Sequence, residues 1–149
     1  MKIDSKGLVT ADSLIAFLLI IVIIMSLTNI TVNRIDTVNS IGEAVDARIL
    51  GENIAERIES TDSNGPGYYT TFKMPANISG EYYKVHINST GLFVVVNGKT
   101  SYSRLVLLRV SGSEYHRDLE ATMKPGKTYN ISNTRDKLLN TWIVVKESQ

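Results

Sequence analysis

Asp12 is the residue that most needs a chemical reason. No charged side chain follows it until Arg34, and the run between them opens SLIAFLLIIVIIMSLTNI. An ionised carboxylate costs roughly 2.5–3.5 kcal/mol at the centre of a membrane helix. Position alone favours a flanking charge that snorkels to the headgroup boundary.

Other groups capable of chemistry are sparse. Ser113 to Asp118 reads SEYHRD and gathers an acid, an imidazole, a guanidinium and a second acid in one loop. Catalysis or metal binding needs such groups held rigidly and convergently. A charged cluster between strands is more simply a solvated turn. The chain has two His and no Cys, so disulfides and thiolate zinc sites are impossible. No nucleophile stands beside a base and no Gly-rich phosphate loop occurs. The expectation is therefore no catalytic residue, no metal, no cofactor and no small-molecule substrate. Three sequons in the head, beginning at Asn77, Asn88 and Asn130, are possible N-glycosylation acceptors, while a fourth, at Asn29, lies too near the membrane. Asn88 sits in a predicted turn and is the best of them. Ordinary polar turn residues are the competing explanation at each.

These residues are positioned by two kinds of element. About 20 apolar residues cross a hydrocarbon core of roughly 30 Å, so residues 8–33 predict a transmembrane helix. Lys2 and Lys6 precede the span and Arg34 follows it, which predicts the N-terminus inside and the C-terminus outside. Residues 34–60 continue the helical spacing without a Pro. Val38, Ile41, Val45 and Ile49 share one face. Ala47, Leu50, Ile54 and Ile58 share another, about 170° round at 100° per residue. Two apolar faces call for two partners: neighbouring copies for the first stripe, this chain's own head for the second. One irregular amphipathic pattern around a single core is the plainer alternative. From Leu8 to about Glu59 the helix would measure roughly 75–80 Å. Gly42 and Gly51 within it are bends, sites of close helix approach or tolerated substitutions.

Gly65, Pro66 and Gly67 break the helix. Beyond them the period changes to two. EYYKVHIN alternates Tyr83, Val85 and Ile87 with Tyr82, Lys84 and an outward His86, then LFVVV meets KTSYSRLVLLRV across Asn97-Gly98. Asn-Gly between β-rich runs is a strong hairpin signal. TYNIS and NTWIVVKE read as later strands. The prediction is an α+β fold: a long N-terminal membrane-spanning α-helix, then a small antiparallel sheet of four to six strands over residues 61–149. Such a head is marginal alone, so the second helix stripe is expected to cover it. The seven Tyr and the net charge of +1 favour neither an adhesive patch nor a nucleic-acid partner.

The N-terminus also carries a motif. Lys6-Gly7 precedes Leu8-Val9-Thr10-Ala11-Asp12, so Asp12 is the fifth residue counted from Leu8. This resembles the class III, prepilin-type signal sequence of archaeal type IV pilins and pilin-like proteins. MPANISGEYYKVHINSTGLFVVVNGK in the head looks like the strand pattern of archaeal pilin-like heads. Asp stands where the family usually has Glu, Leu stands where it often has Phe or Gln, and the leader is short. The resemblance implies a pilin-like fold and a leader of residues 1–7, cut between Gly7 and Leu8 by a prepilin peptidase. It also implies assembly into a surface filament by pilus machinery. Cleavage would free an amine on Leu8, and Asp12 of one subunit could pair with that amine on the next. The pair would remove two costly charges from an apolar environment and set the axial register.

Two functional classes follow. One is a structural filament subunit, at the cell membrane and, once assembled, on the cell surface, with copies of itself or related pilins as partners. The other is a single-span surface protein whose β head binds a partner without forming a filament. An enzyme is not expected.

Overall fold

A computed structural model of the chain describes the backbone of residues 5–106, 109–116 and 118–148, and side chains over the same ranges except 5–11 and 36. One helix, α1 (Ser5–Ser63), precedes eight strands: β1 (Tyr69–Lys73), β2 (Tyr83–Asn88), β3 (Gly91–Val96), β4 (Lys99–Ser103), β5 (Val110–Ser111), β6 (Glu120–Met123), β7 (Thr128–Arg135) and β8 (Thr141–Glu147). The chain divides into two compact units, Met1–Ser40 and Ile41–Gln149.

The described part of the first unit is helix alone. It is long and apolar enough to cross a membrane, and no part of its apolar run is buried by the rest of the chain. Four polar side chains in the later part of the run bond the preceding turn. Ser26 Oγ donates to Val22 O at 2.9 Å, Thr28 Oγ1 to Ile24 O at 2.8 Å, Asn29 Nδ2 to Met25 O at 3.0 Å and Thr31 Oγ1 to Leu27 O at 2.9 Å. Hydroxyl and amide donors returned to the preceding turn leave little unpaired polarity to place in hydrocarbon.

The second unit packs the last turns of α1 against two sheets. Their strand orders are β1-β7-β8-β5 and β4-β3-β2-β6. Helix residues Ala47, Leu50, Ile54, Ala55 and Ile58 join one core with Tyr83, Val85 and Ile87 of β2, Leu92, Val94 and Val96 of β3, and Tyr129 and Ile131 of β7. Gly51 explains how closely helix and sheet meet. A Cβ there would lie 2.6 Å from Ser103 Oγ, 3.3 Å from Val94 Cγ2 and 3.4 Å from Leu92 Cδ2. Gly42 meets nothing within 4 Å. Of the three roles open to these glycines, close approach belongs to Gly51.

The helix ends where its last carbonyls find donors. Gly65 takes φ +83° and its N–H donates to Asp62 O at 3.1 Å, a cap that glycine adopts without Cβ strain. Asn133 Nδ2 reaches Thr61 O at 3.4 Å and Asp62 O at 3.3 Å. In the β3–β4 hairpin Val96 pairs with Lys99, and Asn97 and Gly98 take φ +47° and +76°, the signs that a type I′ turn requires.

The expected single antiparallel sheet needs correction. Eight strands form two four-stranded sheets among the described residues, and β5 pairs with β8 in parallel. KTSYSRLVLLRV does not form one strand: β4 ends at Ser103, and the chain joins the other sheet at Val110. Three short strands are not among the expected ones. β1 and β6 alternate between their two faces over only five and four residues, and β5, with two residues, is defined by its partner's ladder.

Candidate functional site

The motif at the N-terminus is only partly described. Lys6, Gly7 and Leu8 lie within the backbone of α1, and their side chains, like residues 1–4 altogether, lie outside the described residues. Asp12 is exposed. From Leu14 to Ile35 every large apolar side chain except the half-buried Ile21 is more than 50 % exposed or close to it, among them Phe17 at 62 % and Ile30 at 53 %.

The two stripes of the helix have opposite environments. Ala47 and Leu50 are buried, and Ile54 and Ile58 are wholly so. Ile41, Val45 and Ile49 are about half exposed, at 57 %, 50 % and 51 %, and Val38 in the first unit is 67 % exposed. Two polar contacts fix the second unit's helix beside its head: Ser79 Oγ donates to Asp46 Oδ2 at 2.8 Å, and Lys99 Nζ lies 3.5 Å from Glu43 Oε2.

The three sequons differ in accessibility. Asn88 caps the β2–β3 turn: its Oδ1 accepts from Thr90 N at 2.9 Å, Thr90 Oγ1 at 2.6 Å and Gly91 N at 3.2 Å. All three bonds use the oxygen and leave the amide nitrogen at the turn. Asn77 is exposed and accepts from Gly80 N at 3.3 Å. Asn130 lies in the middle of β7, between β1 and β8, with its Oδ1 buried and unpartnered.

Two described residues of the SEYHRD loop, Glu114 and His116, contact the sheet, and Arg117 lies outside the described residues. The His116 ring lies 4.9 Å from that of Trp142 and hydrogen-bonds Thr134 Oγ1 at 3.1 Å. Lys146 Nζ donates to Glu114 Oε1 at 2.8 Å, and this bond with its opposite charge lowers the Glu114 pKa. His86 is exposed, on the face of β2 opposite the buried Val85 and Ile87. Among the described residues no group of three or more acids or histidines could hold a metal ion.

Two features have no counterpart in the sequence reading. Burial pushes the Tyr83 phenol up to about 12, and its hydroxyl donates to Pro75 O at 2.7 Å. At the β7–β8 turn, Asp136 gathers four donors. Leu138 N and Asn140 N bond Oδ1, both at 2.8 Å; Asn140 Nδ2 and Trp142 Nε1 bond Oδ2 at 2.9 and 3.1 Å. The Asn140 side-chain bond, with the others, lowers the Asp136 carboxyl to about 2. An Asp two residues ahead of the backbone N–H that it accepts is a local turn signal in the sequence; the side-chain donors come from the far arm of the hairpin.

These observations define a class: an α+β protein with an N-terminal helix apolar and long enough to span a membrane and a β-rich head. No family model, curated protein or solved structure matches the chain.

Proposed function

We propose that this chain is a structural subunit of a surface filament, assembled through its N-terminal helix in the manner of archaeal type IV pilins, which its signal-like motif resembles. The observation that carries the reading is the uncovered apolar stripe Ile41, Val45 and Ile49, with Val38 before it, on a helix whose other face is buried by the head. A bilayer is crossed by about 20 residues, and this stripe begins after that length is used. Apolar side chains spaced at helical intervals and left half exposed are the kind of surface that packs against a neighbouring helix. Asp12 then serves as the partner of a neighbour's Leu8 amine, Gly7 as the small residue before the cleaved bond, and Lys6 as the last cation of a cytoplasmic leader. The prepilin peptidase and pilus machinery are the further partners, the head lies outside the cell, and no catalysis is asked of it.

N-terminal mass spectrometry of the native membrane and surface fractions tests the reading. Leu8 as the first residue is the expected result. A chain that retains Met1 in both fractions points instead to a single-span anchor whose head binds a partner.

A further inference from the structure

The β7–β8 turn breaks two local rules at once. Leu138 is 81 % and Leu139 74 % exposed, and Leu139 holds φ +63°. A left-handed backbone favours Gly or Asn over a bulky side chain, and an exposed leucine gains nothing from burial. Departures of this kind, held in place by surrounding structure, point to function more than to folding.

The surrounding structure does hold it. Asp136 accepts four N–H groups across the turn, Leu139 N donates to Asp136 O at 3.1 Å, and Asp136 N to Asn140 O at 3.0 Å. The two leucines are therefore displayed on a stiff tip. Arg135 and Lys137 flank the acid, both exposed, and neither joins an ion pair among the described residues. Tyr115, 81 % exposed, lines the same shallow cleft as Leu138, Arg135 and Lys137, and so does Glu114, whose charge is paired with Lys146 at 2.8 Å.

We infer that this tip docks on the anionic surface of a second membrane, with Leu138 and Leu139 entering the acyl boundary and Arg135 and Lys137 contacting headgroup phosphates. The composition is what such an interface accepts. Leucines bury in its outer acyl region, a Tyr ring suits headgroup depth, and basic side chains near the surface are drawn by anionic lipid. A lipid surface deforms around a projecting pair of side chains, whereas a protein partner would need a matching pocket. The four donors keep Asp136 ionised, so Arg135 and Lys137 outweigh it by a single positive charge, and the leucines supply the rest of the attraction.

Vesicle capture tests the inference with the full-length chain. The protein is held in nanodiscs of neutral phosphatidylcholine, and its co-flotation with separate vesicles is measured at low and high salt. Vesicles of phosphatidylglycerol and phosphatidylcholine in equal parts should capture it. Pure phosphatidylcholine vesicles and empty nanodiscs should not. Leu138→Ser with Leu139→Ser should weaken capture by about 100-fold, equivalent to ~2.7 kcal/mol. Arg135→Gln with Lys137→Gln should weaken it and flatten its salt dependence. Unchanged Trp142 fluorescence would show that each variant keeps its fold. Failure to capture anionic vesicles overturns the inference, as does capture that is indifferent to lipid charge or retained by the double serine variant. Neither result bears on whether the N-terminus is processed.

Discussion

Ile54 and Ile49 lie five residues apart on one helix, and their substitution should separate folding from assembly. Ile54 is wholly buried in the core shared by α1, β2 and β3, whereas Ile49 is 51 % exposed. Truncating a buried Ile to Ala costs about 2–5 kcal/mol, the transfer loss plus the cavity left behind. A unit the size of Ile41–Gln149 shifts its Tm by roughly 4–8 °C per kcal/mol. Ile54→Ala should therefore lower Tm by about 8–40 °C, and Ile54→Asp should abolish the fold, because a charge in that core adds several kcal/mol more. Ile49 is half exposed and outside the core, so Ile49→Asp should change stability by about 0.5 kcal/mol or less. Trp142 is the chain's one Trp and is 8 % exposed, so its fluorescence follows melting of the head without interference from the membrane helix. Surface filaments, counted by electron microscopy of sheared material, give the second readout. Ile49→Asp should melt like the parent chain and yield no filaments. A Tm for Ile49→Asp as low as that of Ile54→Ala would refute the division of the helix into two faces. Normal filaments from Ile49→Asp would remove the uncovered stripe as an assembly surface.

Asp12→Asn should be inserted and processed yet absent from filaments, since removing one member of a buried ion pair costs about 3–5 kcal/mol at every subunit; Asp12→Glu should assemble, and abundant Asn filaments would sink the pairing. Gly51→Val should destabilise the head by about 1–3 kcal/mol through overpacking, while Gly42→Ala should add up to about 1 kcal/mol of helix propensity; denaturant melts in which the two behave alike would show that Gly51 does not set the helix–sheet distance. The Asp136 carboxyl sits near 2 in the folded chain against an ordinary 3.8. Its lowered value contributes stability present above the ordinary value and lost as pH falls from about 4 to 2. Acid titration of Trp142 fluorescence should show that loss, and Asp136→Asn should flatten the profile over that interval. Of the three sequons, Asn88 should carry any glycan and Asn130 none, because the first offers its amide at a turn and the second is fixed between strands; glycopeptide mass spectrometry that finds Asn130 modified and Asn88 bare would reverse this order.

How far the chain can be read without coordinates depends on the range of the interactions involved. The apolar run after Asp12, the spacing of Ala47, Leu50, Ile54 and Ile58, the Gly65-Pro66-Gly67 break and the Asn97-Gly98 turn are local: propensity, periodicity and turn chemistry act within a few residues, so composition and spacing determine them. The two faces of the helix were legible as periodicity alone, and which one the head covers could be expected from the sheet's need for a partner. The division of the head into two sheets was not legible. The parallel pairing of β5 with β8 joins Val110 to Ile143, far apart in the chain, and a two-residue strand has no pattern of its own. The close seat at Gly51 depends on Ser103, Val94 and Leu92 arriving from the sheet. The role of Asp136 depends on the indole of Trp142 crossing the hairpin to meet it. The apolar character of Leu138 and Leu139 gives no sign that they face solvent; only the folded hairpin leaves them there, on a turn closed by the hydrogen bonds of Asp136.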